Sequence, residues 1–427
     1  MRFDQSKSLL ERARNVIPSA TQTFSKGPTQ WVEGVGPSYL ERGDGAWVWD
    51  ADGNKYLDYL MALGPIILGY NNSRVNNAAK NQIDKGTVFS QMHPLEVEVA
   101  ELLCDIVPCA EMVRFAKNGS DVTTAAVRAA RAYTGRERIV VCGYHGWHDW
   151  YIATTTREIG IPEAVINLSD TFIYNDLASL ETLFKKFPEE IAAVVMEPTG
   201  IEKPEDNFLQ HVKNLCSTNG TLLIFDEIVT GFRMSLGGAQ EYFDVMPDLA
   251  CFGKAMANGF PLSAVVGKRS IMEIFDEIFF SGTFGGETVS LAACKATIEE
   301  MQNQDVIAHN WRIGDTLISE ITKLIDQNSL GNAAKIIGYG VHSILTFPHD
   351  DEYQARLRRT YFMQECLRRG LLFFGSHNLT ASHDENEIKF TLTVYEEVMQ
   401  LFAIAHQADD FENRLNGPCI EPIFRQP

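Results

Sequence analysis

Four short stretches combine residue types that can bind, orient or move charge. In FAKNGSDVTTAAVRAARAYTGR (115–136), Gly119 and Ser120 open a helical stretch of small residues that ends at Gly135. Free backbone N–H groups and the positive end of the helix dipole then converge at 119–121, a place for an anion. An ordinary serine cap reads the same way, and the GxxxxGK[ST] spacing of a phosphate loop occurs nowhere. GYHGWHDWY (143–151) offers His145, His148 and Asp149 to a metal and Tyr144 and Trp147 to a flat ligand; a half-buried aromatic loop has the same composition. In TLLIFDEIVTGFR (221–233) an apolar run ends at Asp226, and alternation along a strand puts Asp226 and Ile228 on one face and Glu227 on the other. A carboxylate beside an apolar side chain suits a planar cationic heterocycle, although an acidic strand-ending turn is common. In PDLACFGKAMANGFPLSAVVG (247–267), Lys254 stands among Gly253, Ala255, Met256 and Ala257, where desolvation would disfavour its charge and leave a nucleophilic amine. A surface lysine at a loop is the plain alternative.

These residues need a frame. RIVVCG (138–143), IAAVVME (191–197), TLLIFDE (221–227), LACFGK (249–254) and LSAVVG (262–267) are short apolar runs separated by helix-length spacers, the pattern of βαβ units around a mainly parallel sheet. Ligands gather at the carboxyl ends of such strands. Residues 4 to 16 carry Leu9, Leu10, Ala13 and Val16 on one helical face before Pro18, and AWVWDADGNKYLDYL reads as two strands around an Asp52-Gly53 turn. Beyond about residue 330 the texture changes to VHSILTF, the arginine-rich helix YQARLRRTYFMQECLRRG, LLFF and a terminal helix, an α+β pattern. The domains expected are a segment 1–70 that joins the smaller domain, a large α/β domain over 71–325 and a C-terminal α+β domain over 326–427.

With 427 residues, 45% of them hydrophobic and 22% charged, the chain has a globular composition and room for two or three domains. A net charge of −19 disfavours nucleic acid and anionic lipid surfaces as partners. Eight cysteines without a CxxC pair read as buried thiols in a reducing compartment rather than as a zinc or disulfide framework. The charged N-terminus lacks an apolar signal core and no run is long enough to cross a bilayer, so the expected location is the cytoplasm.

Taken together and in this order, a phosphate-type helix terminus, an aromatic loop, a strand-ending aspartate and a lysine among small residues are the parts a pyridoxal 5'-phosphate (PLP) enzyme needs. The chain resembles the class III (ω-type) aminotransferases of PLP fold type I, and within them the branch of glutamate-1-semialdehyde 2,1-aminomutase. IPSATQTFSKGP, WDADGNKYLDY, LGPIILGY, YTGR, YHG, EP, DEIVTGFR, FGKAMANGFP, SGTFGG and SHNLTASH carry the resemblance over essentially the whole chain, and DEIVTGFR and GKAMANGFP are its most specific parts. The resemblance implies a large domain built on a mainly parallel seven-stranded sheet and a small α+β domain from both termini. It implies that Lys254 forms the internal aldimine, that Asp226 pairs with the pyridine nitrogen, and that Ile228 packs under the ring with Tyr144 over its other face. Gly119 and Ser120 match the phosphate-binding step. Thr283 matches a threonine that reaches the phosphate of the neighbouring subunit, which implies a homodimer with shared active sites. No metal is implied.

Departures from the aminomutase shape the substrate expectation. Thr23 and Lys26 stand where a serine and an arginine usually meet the substrate carboxylate, and lysine lacks the guanidinium's two-pronged fork. Gly375 stands where the aminomutase has an acidic gating residue, and Gly286-Glu287-Thr288 replaces its GNP. Glu197, near the same strand edge as Asp226, joins Thr23 and Lys26 as a substrate candidate. The expected activity is therefore transfer of an amino group from a donor such as glutamate to a small carbonyl acceptor such as a sugar, with the intramolecular aminomutase as the alternative. A metal-dependent hydrolase using His145, His148, Asp149 and Asp226 would leave Lys254 and the GFR motif without a purpose. A non-catalytic scaffold of the same fold would have no need of both Lys254 and Asp226.

Overall fold

The computed structural model describes residues 1–422; residues 423–427, with which the C-terminal domain assigned from sequence ends, lie outside the described residues. The described residues form two compact units, one from Met1–Asn72 together with residues 308–422, the other from Ser73–Ile307.

The first unit opens with helix Asp4–Val16 and three strands, β1 (Leu40–Asp44), β2 (Trp47–Asp50) and β3 (Lys55–Asp58). The β2–β3 hairpin turns at Asp52-Gly53, and Gly53 supplies a φ of +84° that a side chain would resist. Asp52 also accepts hydrogen bonds from the backbone N–H groups of Gln5 (2.7 Å) and Ser6 (2.9 Å), tying the first turn of the helix to the hairpin.

The second unit holds the sheet that the apolar runs predict. Its strands are β4 (Met112–Ala116), β5 (Arg138–Cys142), β6 (Ser169–Thr171), β7 (Ile191–Met196), β8 (Leu222–Asp226), β9 (Leu249–Phe252) and β10 (Ser263–Gly267). They form one seven-stranded sheet in the order β4-β10-β9-β8-β7-β5-β6. Strands β6, β5, β7, β8 and β9 run parallel, whereas β10 runs antiparallel to both β9 and β4. Every residue of β7, β8, β9 and β10 is buried, as expected of strands covered on both faces. Helix Gly119–Thr134 buries Val122, Ala125, Ala126, Ala129 and Ala130 in the same apolar core as β5, β7, β8 and β9; their small side chains suit close approach of helix and sheet. Parallel β5, β7 and β8 bring their carboxyl ends to one edge, which places Cys142, Met196 and Phe225 side by side in register, with Asp226 the next residue along β8.

The chain then returns to the first unit with β11 (Lys335–Tyr339), β12 (His342–Thr346), β13 (Leu371–Leu372) and β14 (Ser376–Asn378). β11, β12 and β14 make an antiparallel sheet, and β13 extends the N-terminal strands by pairing parallel with β3. Helices Glu352–Arg368 and Glu385–Ala408 pack on them through a core that includes Phe362, Phe373, Tyr395 and Phe402. Among the described residues no helix is long and apolar enough to cross a membrane.

Candidate active site

Asp226 is the last residue of β8 and is 3% exposed. One carboxylate oxygen accepts the Ile228 backbone N–H at 3.0 Å, and the other lies 2.8 Å from His145 Nδ1. His145 follows β5, two strands away in the sheet, and is itself 2% exposed. Its Nε2 is 3.1 Å from the carbonyl oxygen of Cys142; because a peptide carbonyl only accepts, Nε2 carries a hydrogen there. The ring is thus pinned at both nitrogens and fixes the direction in which Asp226 faces.

Lys254 follows β9 and opens a short turn, Lys254–Ala257, with its backbone in the left-handed region at φ +43°. Non-glycine residues seldom hold that conformation unless the surroundings impose it, and such strain clusters at functional sites. Burial lowers the pKa of its ammonium, with the Arg233 charge in the same direction, against the opposing pull of Glu197 and Asp226. Glu197, just beyond β7, is the second carboxylate of the cluster: burial and then Asp226 push its pKa up to about 6. One edge of one sheet therefore presents an amine of lowered basicity, a fixed carboxylate and a carboxylate that binds a proton more readily than usual.

The apolar side of the cluster is Ile228. A Cβ on Gly119 and a Cβ on Gly253 would each stand 3.1 Å from its Cδ1, so a side chain at either position would crowd the isoleucine between them. Gly119 and Ser120 begin helix Gly119–Thr134, and Asn118 and Asp121 form its capping box. Ser120 Oγ accepts the Trp147 backbone N–H at 3.3 Å, which draws the aromatic loop to the helix start. Tyr144 is 54% exposed in that loop and makes an edge contact with Tyr151, ring centroids 5.5 Å apart.

Lys254, Asp226, Glu197, Tyr144, Ile228, Gly119 and Ser120 all belong to the second unit. Thr283 does too, but it is exposed and lines a separate cleft of about 380 Å³ with Lys117, Thr124, Arg128, His148 and Phe284. Thr23 and Lys26 are exposed residues of the first unit. His148 Nδ1 pairs with the Thr124 hydroxyl at 2.7 Å while His145 turns to Asp226, and among the described residues no group of three or more His, Cys, Asp or Glu could hold a metal ion. The roles of two neighbours escaped the sequence reading. Arg233 is 1% exposed and acts on the charge of Lys254, with only the GFR motif as its signal. Glu227 is fully buried and binds the loop beyond β8, accepting from the Thr230 hydroxyl and from the backbone N–H groups of Ala239 (2.8 Å) and Gln240 (2.9 Å). Glu287, one of the departures noted above, caps helix Thr288–Asn303 and pairs with Lys117 at 3.0 Å, which accounts for it structurally.

A mainly parallel α/β sheet with a strand-ending aspartate, a lysine of lowered basicity and a helix N-terminus at hand defines the chain as a PLP-dependent enzyme of fold type I. It belongs to the class-III aminotransferase family, whose pattern matches residues 32–393. The chain is 34% identical to 3-aminobutyryl-CoA aminotransferase of Cloacimonas acidaminovorans, over 93% of this chain and 97% of that protein. It is 33% identical to glutamate-1-semialdehyde 2,1-aminomutase 2 of Lachnoclostridium phytofermentans, over 93% of this chain and 99% of that protein. Among solved structures, the PLP internal aldimine form of the FumI protein from Sphingopyxis sp. MTA144 superposes with a TM-score of 0.88 at 29% identity, covering 94% of this chain and 97% of that one. The residues present fit the cofactor that the family uses: a carboxylate for a protonated ring nitrogen, an amine for its aldehyde, an apolar side chain for its face and a helix N-terminus for its phosphate.

Proposed function

We propose that the chain is an intermolecular aminotransferase in which Lys254 and Asp226 do the central work. Bound PLP would supply an aldehyde for amines and a ring that takes up the electron pair left when a proton leaves the substrate carbon. Lys254 would hold the cofactor covalently through its amine and, once released, carry the proton between the two carbons that exchange it. Burial serves both roles, because a lysine of lowered pKa is more often the neutral amine near pH 7. Asp226, held by His145 and the Ile228 N–H, would keep the ring nitrogen protonated. Gly119 and Ser120 would receive the phosphate at the helix N-terminus, and Ile228 and Tyr144 would flank the ring.

The single observation that carries this reading is the placement of Lys254, with its lowered pKa, and the His145-fixed Asp226 at one sheet edge. Transfer between two molecules, rather than within one, is supported by Thr23 and Lys26 at the positions implied for the substrate carboxylate: a lysine there offers a point charge and no fork. A donor such as glutamate and a polar carbonyl acceptor such as a sugar fit that reading. Glu197 is the substrate-side residue of the second unit. We also read the working form as a cytoplasmic homodimer in which Thr283 serves the partner's phosphate. The second unit exposes Met92 (81%), Trp147 (70%), Phe279 (81%) and Phe284 (58%), apolar side chains that a partner subunit would cover.

The test is a panel of donors and carbonyl acceptors assayed by product identification. Amino transfer to an acceptor is expected; efficient turnover of glutamate-1-semialdehyde to 5-aminolevulinate with no intermolecular transfer would overturn the reading.

A further inference from the structure

The loop that carries Thr283, SGTFGGE (281–287), has three glycines in seven residues and leaves Thr283 and Phe284 exposed, so its own packing does little to place it. Its position is set from its ends. At the entry, Arg128 Nη1 donates to the carbonyl oxygen of Phe279 at 2.7 Å and Arg114 Nη2 donates to that of Phe280 at 2.9 Å. At the exit, Glu287 accepts the backbone N–H groups of Val289 (2.7 Å) and Ser290 (3.1 Å) and pairs with Lys117 Nζ at 3.0 Å.

Capping alone does not call for this pair. Where Glu287 stands, the aminomutase pattern noted above has asparagine, which is among the best helix caps. What glutamate adds is a charge, and Lys117 answers it. The side chains of Lys117 and Glu287 are only 18% and 16% exposed, so removing either one strands the other's charge in a largely dry place. Their positions in the chain carry the consequence. Lys117 is the residue after β4 and stands two before Gly119, where helix Gly119–Thr134 begins, while Glu287 stands four after Thr283. One ion pair thus ties the turn that leads to Gly119 and Ser120 to the loop that bears the threonine, and Lys117 and Thr283 line the same cleft.

We propose that Lys117 and Glu287 are positioning residues for the cofactor phosphate: their ion pair fixes the Thr283 loop against the end of the strand that leads to Gly119 and Ser120. The inference rests on the reading of Thr283 as a threonine that serves the partner's phosphate. Neither charged side chain has to touch the phosphate for the pair to act.

The experiment titrates the full chain, freed of cofactor, with PLP and separately with pyridoxal, which has the ring and the aldehyde but no phosphate. Binding is followed by absorbance for wild type, Lys117→Met, Lys117→Arg, Glu287→Asn and Thr283→Val. Lys117→Met and Glu287→Asn should each weaken PLP binding by about fivefold or more, with pyridoxal within about twofold of wild type. Glu287→Asn keeps a capping residue, so its loss reports the charge. Lys117→Arg should recover most of the affinity, because a guanidinium can still meet the carboxylate. The proposal is overturned if both pair variants bind PLP as wild type does, or if PLP and pyridoxal weaken alike, which is what a merely structural brace would give. It is also overturned if Lys117→Met weakens PLP and Glu287→Asn does not, which would make Lys117 act alone. Thr283→Val tells failure of the pair from failure of the reading beneath it. Weaker PLP binding in Thr283→Val with none in the pair variants refutes the pair alone, whereas wild-type PLP binding in Thr283→Val refutes the reading of Thr283.

Discussion

His145→Phe is the substitution that most directly probes how Asp226 is held. Phenylalanine fills the ring's place but removes the hydrogen-bond partner 2.8 Å from Asp226 Oδ2, leaving that oxygen buried beside an apolar edge. A buried acceptor stripped of its partner costs about 1–3 kcal/mol, more when it is charged. At about 1.4 kcal/mol per tenfold, that corresponds to roughly 5- to 150-fold. The penalty falls on the carboxylate that faces the ring nitrogen, so Asp226 should support the ring nitrogen's proton less well. PLP affinity and kcat/KM should each fall by about tenfold or more, and the visible absorption of the bound cofactor should change with pH over a different range from that of wild type. His145→Asn can return a donor to Asp226 without the ring's second bond to Cys142, so it should recover part of the loss. The assay is PLP titration followed by absorbance, with single-turnover rates for one amino donor. If His145→Phe stays within twofold of wild type in both, Asp226 is not oriented by His145 and the account of its role is wrong.

Lys254→Ala should fold and bind PLP without a covalent bond, so that borohydride no longer fixes the cofactor to the protein, and transfer should fall by about 10²–10⁴-fold or more; full transamination in this variant would sink the assignment. Asp226→Ala should still bind PLP yet hardly transfer amino groups, which the same single-turnover assay reads. Glu197→Gln tests a stability effect of defined sign. Because the folded-state pKa is raised from 4.5 to about 6, the wild-type contribution is fully present below about pH 4.5 and lost as pH rises through 6. Urea melts should find Glu197→Gln more stable than wild type at pH 7.5 by up to about 2 kcal/mol, with the gap closing toward pH 4.5; a gap independent of pH would contradict the burial of this carboxylate. Light scattering should give twice the 47.8 kDa chain mass, and a monomer that still transfers amino groups would remove Thr283 from the site.

The inner strands were legible because burial on both faces writes a plain apolar run, as in IAAVVM and LLIFD. The edges were not. β4 and β6 close the two ends of the sheet, and MVRFA with its Arg114 and the three-residue SDT have no such run, since an edge strand has fewer faces to bury. The same limit applied within the site. Asp226 and Lys254 declared themselves by where they stand relative to strands. The link from His145 to Asp226 depends on β5 lying one strand beyond β7 from β8, a neighbourhood that sequence order alone does not give. Glu227 was placed on the face opposite Asp226, but its partners Ala239 and Gln240 come from a loop whose return path no periodicity encodes.

The most direct measurement is the absorption spectrum of the purified, PLP-loaded protein in the near-ultraviolet and visible range, before and after amino donors are added one at a time. A covalently held cofactor should colour the protein yellow, and one donor should bleach it as the amino group passes to the cofactor. A protein that stays colourless after incubation with PLP, or a colour that no amino donor changes, would contradict amino transfer through Lys254.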